Sequence, residues 1–266
     1  MIFAVACLTS YFGGVLCASA QIREAVQQSL DALEAPDGVV ALVPTLPRRG
    51  GAEAQYLRLA VESLLEHGAV HHVVVFGALP AALQKGGDRV SVWARPEWDH
   101  PQLSRPAALA RNFGDPLEKV LWRSRLVLDF ATAMRALLAW SEVVFPKSAL
   151  MWFEDDVMVV DGFGAEVERF LAHPPAGWVA LRFLGFDPDP DPSTWAWGTQ
   201  GFGGKGVALY NRHWLPAFLN FCEENFDAAP LDWLVEMFDN RSGSLYRMAP
   251  PKMRHIGEYS THLEFD

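Results

Sequence analysis

The feature that most constrains this chain is the run SALMWF at 148–153, which passes directly into Glu154, Asp155 and Asp156. So apolar a stretch, bounded by charge, fits a strand covered on both faces, the kind found in the middle of a parallel or mixed sheet. Its carboxyl end then opens onto the crevice where open α/β sheets bind ligands. Three acids crowded there repel one another unless a cation joins them, and the hard divalent ions Mg²⁺ and Mn²⁺ are suited to carboxylate and phosphate oxygens. The competing reading is that the triplet only caps a turn or faces water. The hydrophobicity of the strand before it favours the crevice.

The rest of the chain alternates in the same sense. Apolar spacing predicts a helix over 21–34, a strand over 38–46, a helix over 52–67 and a strand over 71–77. A third strand is expected over 90–94, an irregular Pro-rich segment over 95–114, and the longest helix over 117–142. Beyond the acids, the run 157–162 reads as a connection towards a helix near 166–171, and a strand follows over 178–183. A strand at 207–210 and helices over 213–225 and 230–238 close the pattern. The expected architecture is α/β, a sandwich around a mixed, mainly parallel central sheet, formed by one domain over 21–266.

A formal net charge of -10 and the lack of a basic stripe argue against nucleic acid as partner, because affinity for a phosphate backbone comes from clustered Lys and Arg. Residues 1–20 carry no charged side chain and end in Ala18-Ser19-Ala20, as a signal peptide or signal anchor would. The expected location is the secretory pathway, with possible membrane anchorage through this segment. Cys7 and Cys17 fall inside it, which leaves Cys222 alone and gives no disulfide framework.

Several residues invite a chemical reading beside a bland one. Gly203, Gly204 and Lys205 offer backbone amides and a cation to an anionic or hydroxyl-rich ligand, although a glycine turn with a surface lysine explains them as well. They close a long loop, DPDPDPSTWAWGTQGFGGKG, of a length that usually has a function. Trp195, Trp197 and Trp233 lie near these segments and could stack on the apolar face of a sugar. Asp232 follows Pro230 at a helix start, where the dipole favours an acid and lowers its pKa. Arg123 and Asp129 share one long helix and could form a structural ion pair, though not at ideal spacing.

Taken in order, these segments carry a resemblance. ALMWFEDDVMVVDGF resembles the EDD form of the DxD motif in GT-A glycosyltransferases of the N-acetylglucosaminyltransferase-IV family. LVPTLPRR, WRSRLVLDF, GFGGKG, APLDWLVEMF and PPKMRHIGEYSTH are similar to that family's other motifs in the same order, from about Leu42 to the C-terminus. A related group that adds N-acetylgalactosamine to GPI anchors shares the EDD strand and the terminal H-x-G.

The resemblance implies a Rossmann-like GT-A domain and a role for each matching residue. Asp156 and His255 would be the metal ligands, for Mn²⁺ or else Mg²⁺, while Glu154 and Asp155 would contact the sugar nucleotide. Thr45 and Arg48 resemble the loop that receives uridine diphosphate, Arg123 and Asp129 a helix pair, and Gly203, Gly204, Lys205 and Trp233 substrate contacts. Asp232 would be the general base of an inverting transfer.

The implied partners are a UDP-sugar donor, with GlcNAc favoured, and a glycan acceptor on a glycoprotein or GPI glycolipid. The implied location is the Golgi lumen. The loop over 183–201 is longer than its counterpart in the family, so the acceptor pocket cannot be carried over. Two other readings stay open: a carbohydrate-binding relative without catalysis, and a metal-dependent phosphoesterase.

Overall fold

In the computed structural model, residues 38–45, 53–67, 69–77, 88–93, 100–110, 112–175, 177–183, 196–197, 207–239, 245–248 and 252–256 are described. The apolar 1–20 segment, the helix expected over 21–34, Arg48, Trp195, Gly203, Gly204 and Lys205 lie outside them. Among the described residues no helix is long and apolar enough to cross a membrane.

The strands are β1 (Val39–Pro44), β2 (Val70–Phe76), β3 (Val90–Trp93), β4 (Ala149–Trp152), β5 (Val157–Val159), β6 (Ala180–Arg182), β7 (Ala196–Trp197), β8 (Ala208–Tyr210), β9 (Leu245–Arg247) and β10 (Met253–His255). The helices are α1 (Glu53–Glu66), α2 (Leu117–Val144), α3 (Phe163–Ala172), α4 (Leu215–Glu224) and α5 (Leu231–Asp239). Eight strands form one mixed sheet in the order β3-β2-β1-β4-β8-β6-β9-β7. The strands β3, β2, β1 and β4 run parallel, β8 opposes both of its neighbours, and β9 is parallel to β6 and antiparallel to β7.

Alternation along each strand divides the core into two layers. Val39, Ala41, Val43, Met151 and Phe153 face α1 and α3, where Leu57, Ala60, Leu64, Phe163 and Val167 pack. Val40, Leu42, Leu150, Trp152 and Tyr210 face α2, α4 and α5. Phe130 of α2 fills the middle of this second layer, with ring centroids 5.0 Å from Trp152, 5.7 Å from Tyr210 and 6.0 Å from Phe218. Its complete burial contributes roughly 2–3 kcal/mol.

Two expectations are corrected. Residues 157–159 are not a plain connection: they form β5, which pairs antiparallel with β10 in a small second sheet. The described residues of 100–114 are not wholly irregular, since 3₁₀ turns occupy Pro101–Ser104 and Pro106–Ala108, and Asn112–Gly114 is a turn in which Phe113 takes a left-handed φ of 70°. The β5 strand is fixed to α1 by Ser63, whose Oγ donates to the Ala60 carbonyl at 2.9 Å and accepts from the Val159 amide at 3.2 Å.

Candidate functional site

The strand β4 lies between β1 and β8, with all four of its residues buried. Its register with β1 pairs Leu42 with Trp152, and the Phe153 amide donates to the Leu42 carbonyl at 3.0 Å. Thr45 and Asp155 each stand three residues beyond that pair, so both are at the carboxyl edge of the parallel half of the sheet. Thr45 is buried, and its amide donates to the Phe76 carbonyl at 2.9 Å. Gly77 faces it at φ 140, and a Cβ there would come within 2.6 Å of Thr45 Cγ2. Glycine is needed at 77 for both the backbone angle and the close approach.

At Glu154 the chain turns, with the Val157 amide donating to the Glu154 carbonyl at 3.3 Å, and then enters β5. Asp155 and Asp156 are buried by this turn. The antiparallel partner β10 sets His255 opposite Val157, and the Ile256 amide donates to the Asp156 carbonyl at 2.8 Å. The result is that His255 Nε2 lies 3.0 Å from Asp156 Oδ2, across 99 residues of sequence. The acids are therefore enclosed at the strand's end, and the imidazole expected from the far end of the chain meets one of them.

The pair is suited to a cation. Two donors in neighbouring positions of an octahedral ion, each about 2.1 Å from it, are about 3.0 Å apart. Imidazole beside carboxylate fits Mn²⁺ better than Mg²⁺, which prefers oxygen alone. Among the described residues no group of three or more His, Cys, Asp or Glu side chains is disposed to hold a metal. His255 and Asp156 would therefore supply two ligands of such an ion and no more than that.

Asp232 belongs to a second cluster, on the α5 side of the sheet. Register places Arg182 of β6 level with Ala208 and Trp152, so it shares their face and reaches α5, where its Nη1 donates to Glu236 Oε1 at 2.6 Å. Asp232 and Glu236 are one helical turn apart and present the same side of α5 to this cation. Burial pushes the Asp232 carboxyl above the usual carboxylate range; Arg182 and backbone amide hydrogen bonds pull it back, and Glu236 adds to the rise. The helix-dipole expectation of a lowered pKa is therefore overturned, because desolvation outweighs it. Tyr210 is fully buried near this cluster, and burial holds its phenol protonated.

The ion pair that Arg123 and Asp129 could have formed with each other is not made. The two are six residues apart on α2, about 240° around the helix, so their side chains diverge. Arg123 Nη1 instead donates to Asp115 Oδ2 at 2.6 Å, and its Nη2 reaches the carbonyls of Asp227 at 3.3 Å and Ala110 at 3.5 Å. Asp129 takes His100, with Nε2 2.8 Å from Oδ1. Both residues fasten the 100–115 segment onto α2. Trp233 packs edge-on against Phe113, with ring centroids 4.6 Å apart. Trp197 lies in β7.

Sequence reasoning did not single out Arg182, Glu236, Asp115 or Phe113. A usable signal existed for Arg182 alone: a charge inside the apolar strand WVALRF demands a buried partner.

The chain is 27% identical over 177 residues to alpha-1,3-mannosyl-glycoprotein 4-beta-N-acetylglucosaminyltransferase C of Macaca fascicularis, covering 65% of this chain and 32% of that protein. It is 24% identical over 179 residues to the corresponding transferase B of Homo sapiens, covering 61% and 28%. With the alpha-1,6-mannosyl-glycoprotein 4-beta-N-acetylglucosaminyltransferase of Gallus gallus it shares 24% identity over 200 residues, covering 74% and 35%. The chain thus spans about a third of the length of the curated relatives it matches.

Among solved structures, it aligns with a glycosyltransferase involved in glycosylation of the major capsid of PBCV-1 at TM-score 0.44 and 12% identity, covering 80% of this chain and 82% of that one. A putative glucose-1-phosphate thymidylyltransferase from Bacillus anthracis aligns at TM-score 0.48 and 9% identity, covering 85% and 92%. No family model matches the chain.

Proposed function

We propose that this relative of the mannosyl-glycoprotein 4-beta-N-acetylglucosaminyltransferases is a metal-dependent, inverting glycosyltransferase that moves N-acetylhexosamine from a UDP-sugar to a glycan hydroxyl. GlcNAc is the favoured donor sugar, and a mannose-bearing glycoprotein glycan is the favoured acceptor, with a GPI glycolipid as the other class. The observation that carries this reading is the 3.0 Å approach of His255 Nε2 to Asp156 Oδ2 at the carboxyl edge of the central strand.

His255 and Asp156 would hold Mn²⁺ or Mg²⁺, which when bound supplies positive charge to the departing diphosphate. Asp155 and Glu154 orient the sugar nucleotide beside it. Thr45, with Arg48, Gly203, Gly204 and Lys205, receives the nucleotide and sugar. Asp232 accepts the proton of the acceptor hydroxyl as that oxygen attacks the anomeric carbon opposite the leaving group. Its raised pKa suits this task, because a more basic carboxylate is a better proton acceptor at neutral pH. The reaction belongs in the secretory pathway, in the Golgi lumen, with the 1–20 segment as signal or anchor.

The test is a transfer assay with purified protein, a panel of UDP-sugars and a mannose-terminated N-glycan, with Mn²⁺ or with chelator. The expected result is metal-dependent transfer from UDP-GlcNAc or UDP-GalNAc with inverted anomeric configuration. Glycan binding indifferent to chelator and without transfer would replace the reading with a non-catalytic binder. Cleavage of a nitrophenyl phosphate in place of transfer would replace it with a phosphoesterase.

A further inference from the structure

Phe113 is held where a phenylalanine is least at ease. Its φ is 70°, in the left-handed region that bulky side chains avoid, and Gly114 follows at φ 71°. Its ring is nevertheless 55% exposed, so burial of the side chain does not explain the choice. A glycine or asparagine would adopt this backbone with less strain. Strain retained at an exposed aromatic residue marks a place where the side chain is wanted for contact with something else.

Its surroundings are built. The Arg123 guanidinium sits 5.3 Å from the ring centroid and is itself fastened by Asp115 and by the carbonyls of Ala110 and Asp227. Trp233 meets Phe113 in a T-shaped contact, with planes 85° apart. Trp233 is the next residue after Asp232 in the first turn of α5, about 100° round the helix from it, so the aromatic pair stands at the same end of α5 as the carboxylate and on the adjoining face. Met237, one turn further along α5, is also exposed and extends the apolar strip. Asp115 pairs with both the Arg123 guanidinium under Phe113 and Lys119, so the cation is engaged from below and the face offered to a ligand is the aromatic ring. A neutral sugar ring fits such a surface, with its C–H face on the π system and its hydroxyls towards water and the carboxylate.

We propose that Phe113 and Trp233 form the platform on which the acceptor's sugar ring stacks, presenting its hydroxyl to Asp232. This rests on the transfer reaction proposed above, and it adds Phe113 as a determinant of acceptor binding. The 100–115 segment, fastened to α2 through Arg123 and His100, then belongs to the acceptor side of the site.

The test varies a mannose-terminated N-glycan at saturating UDP-GlcNAc and Mn²⁺, for wild type, Phe113→Ala, Phe113→Leu and Phe113→Tyr. Loss of one aromatic contact predicts an acceptor KM raised about tenfold in the Ala and Leu variants and restored by Tyr, while the donor KM stays within about twofold. The Leu variant keeps apolar bulk against Trp233, so it stays informative if the Ala variant does not fold. An acceptor KM equal to wild type in Phe113→Leu would overturn the platform, as would donor and acceptor KM rising together. Should the wild type transfer nothing, the transfer reading falls, and the platform is judged by titrating the same glycan against tryptophan fluorescence. Weaker binding by Phe113→Leu than by wild type then supports it, and equal binding overturns it.

Discussion

Replacing Asp232 with asparagine should stop turnover and make the protein more stable, two effects of opposite sign from one isosteric change. The catalytic half follows from the proposed proton transfer. A positioned general base contributes about 10²–10⁴ in rate, or roughly 3–5 kcal/mol of barrier. The stability half follows from the burial of the carboxyl against Arg182 and Glu236, where the cost of desolvation exceeds the attraction of the guanidinium.

The sign of the second effect follows from linkage. Asp232 has its folded pKa above the unfolded value, so between the two the native state holds the proton more tightly than the unfolded chain does. Its contribution to stability is therefore fully present below the ordinary carboxylate pKa of 3.8, declines as pH rises towards the folded value, and levels off above it. Asparagine has no proton to lose. The Asp232→Asn variant should match wild type near pH 3.5 and exceed it progressively at higher pH, with a plateau of about 1.4 kcal/mol for each unit separating the two pKa values. Urea denaturation from pH 3.5 to 8, beside transfer rates, measures both halves. A variant that loses stability at pH 7 would refute the burial argument, and one that keeps wild-type turnover would remove Asp232 from the chemistry.

Arg182→Met should raise the Asp232 pKa further, because the cation that opposes burial is lost, and so should move the acid limb of the pH–rate profile to higher pH. It should also cost roughly 1.5–3 kcal/mol in urea denaturation, through loss of the charge-assisted bond to Glu236; an unmoved acid limb would dissociate Arg182 from the carboxylate. Arg123→Met should cost about 3 kcal/mol, because a buried cation is lost from Asp115 and two carbonyls while Lys119, 3.2 Å from Asp115, offsets part of the damage. Its affinity for UDP with Mn²⁺, measured by calorimetry below its unfolding temperature, should stay within about twofold of wild type. A large loss of nucleotide affinity would make Arg123 a ligand contact and not a strut.

The central strand and its acids were legible because that information is local: six residues state their own burial, and the charge that follows states where burial ends. The helices were legible for the same reason, since Leu57, Ala60 and Leu64 or Ala131, Met134 and Leu137 repeat at helical spacing and are indeed buried. The strands β5, β7, β9 and β10 were not, because two or three residues cannot display a period, and each exists through a partner far away in sequence, as Met253 pairs with Val159. Polar partnerships were the least legible. Arg123 and Asp129 suggested each other by proximity in sequence, yet six residues of helix turn them apart, and their true partners, Asp115 and His100, lie in a segment with no apolar period. The raised pKa of Asp232 is not legible in the sequence, because the dipole can be read there, whereas desolvation depends on what packs over the side chain.

The proposed transfer depends on the imidazole of His255 and the carboxylate of Asp156 acting as one grip for metal and diphosphate. Calorimetric titration of UDP into wild type and His255→Ala, each with Mn²⁺ and with chelator, tests this most directly. Binding by the wild type is expected only with Mn²⁺, and the affinity of His255→Ala is expected to be at least about tenfold weaker, since loss of even an outer-shell partner of a metal ligand costs that much. Equal affinity in the two proteins, or UDP binding unchanged by chelator, would contradict it.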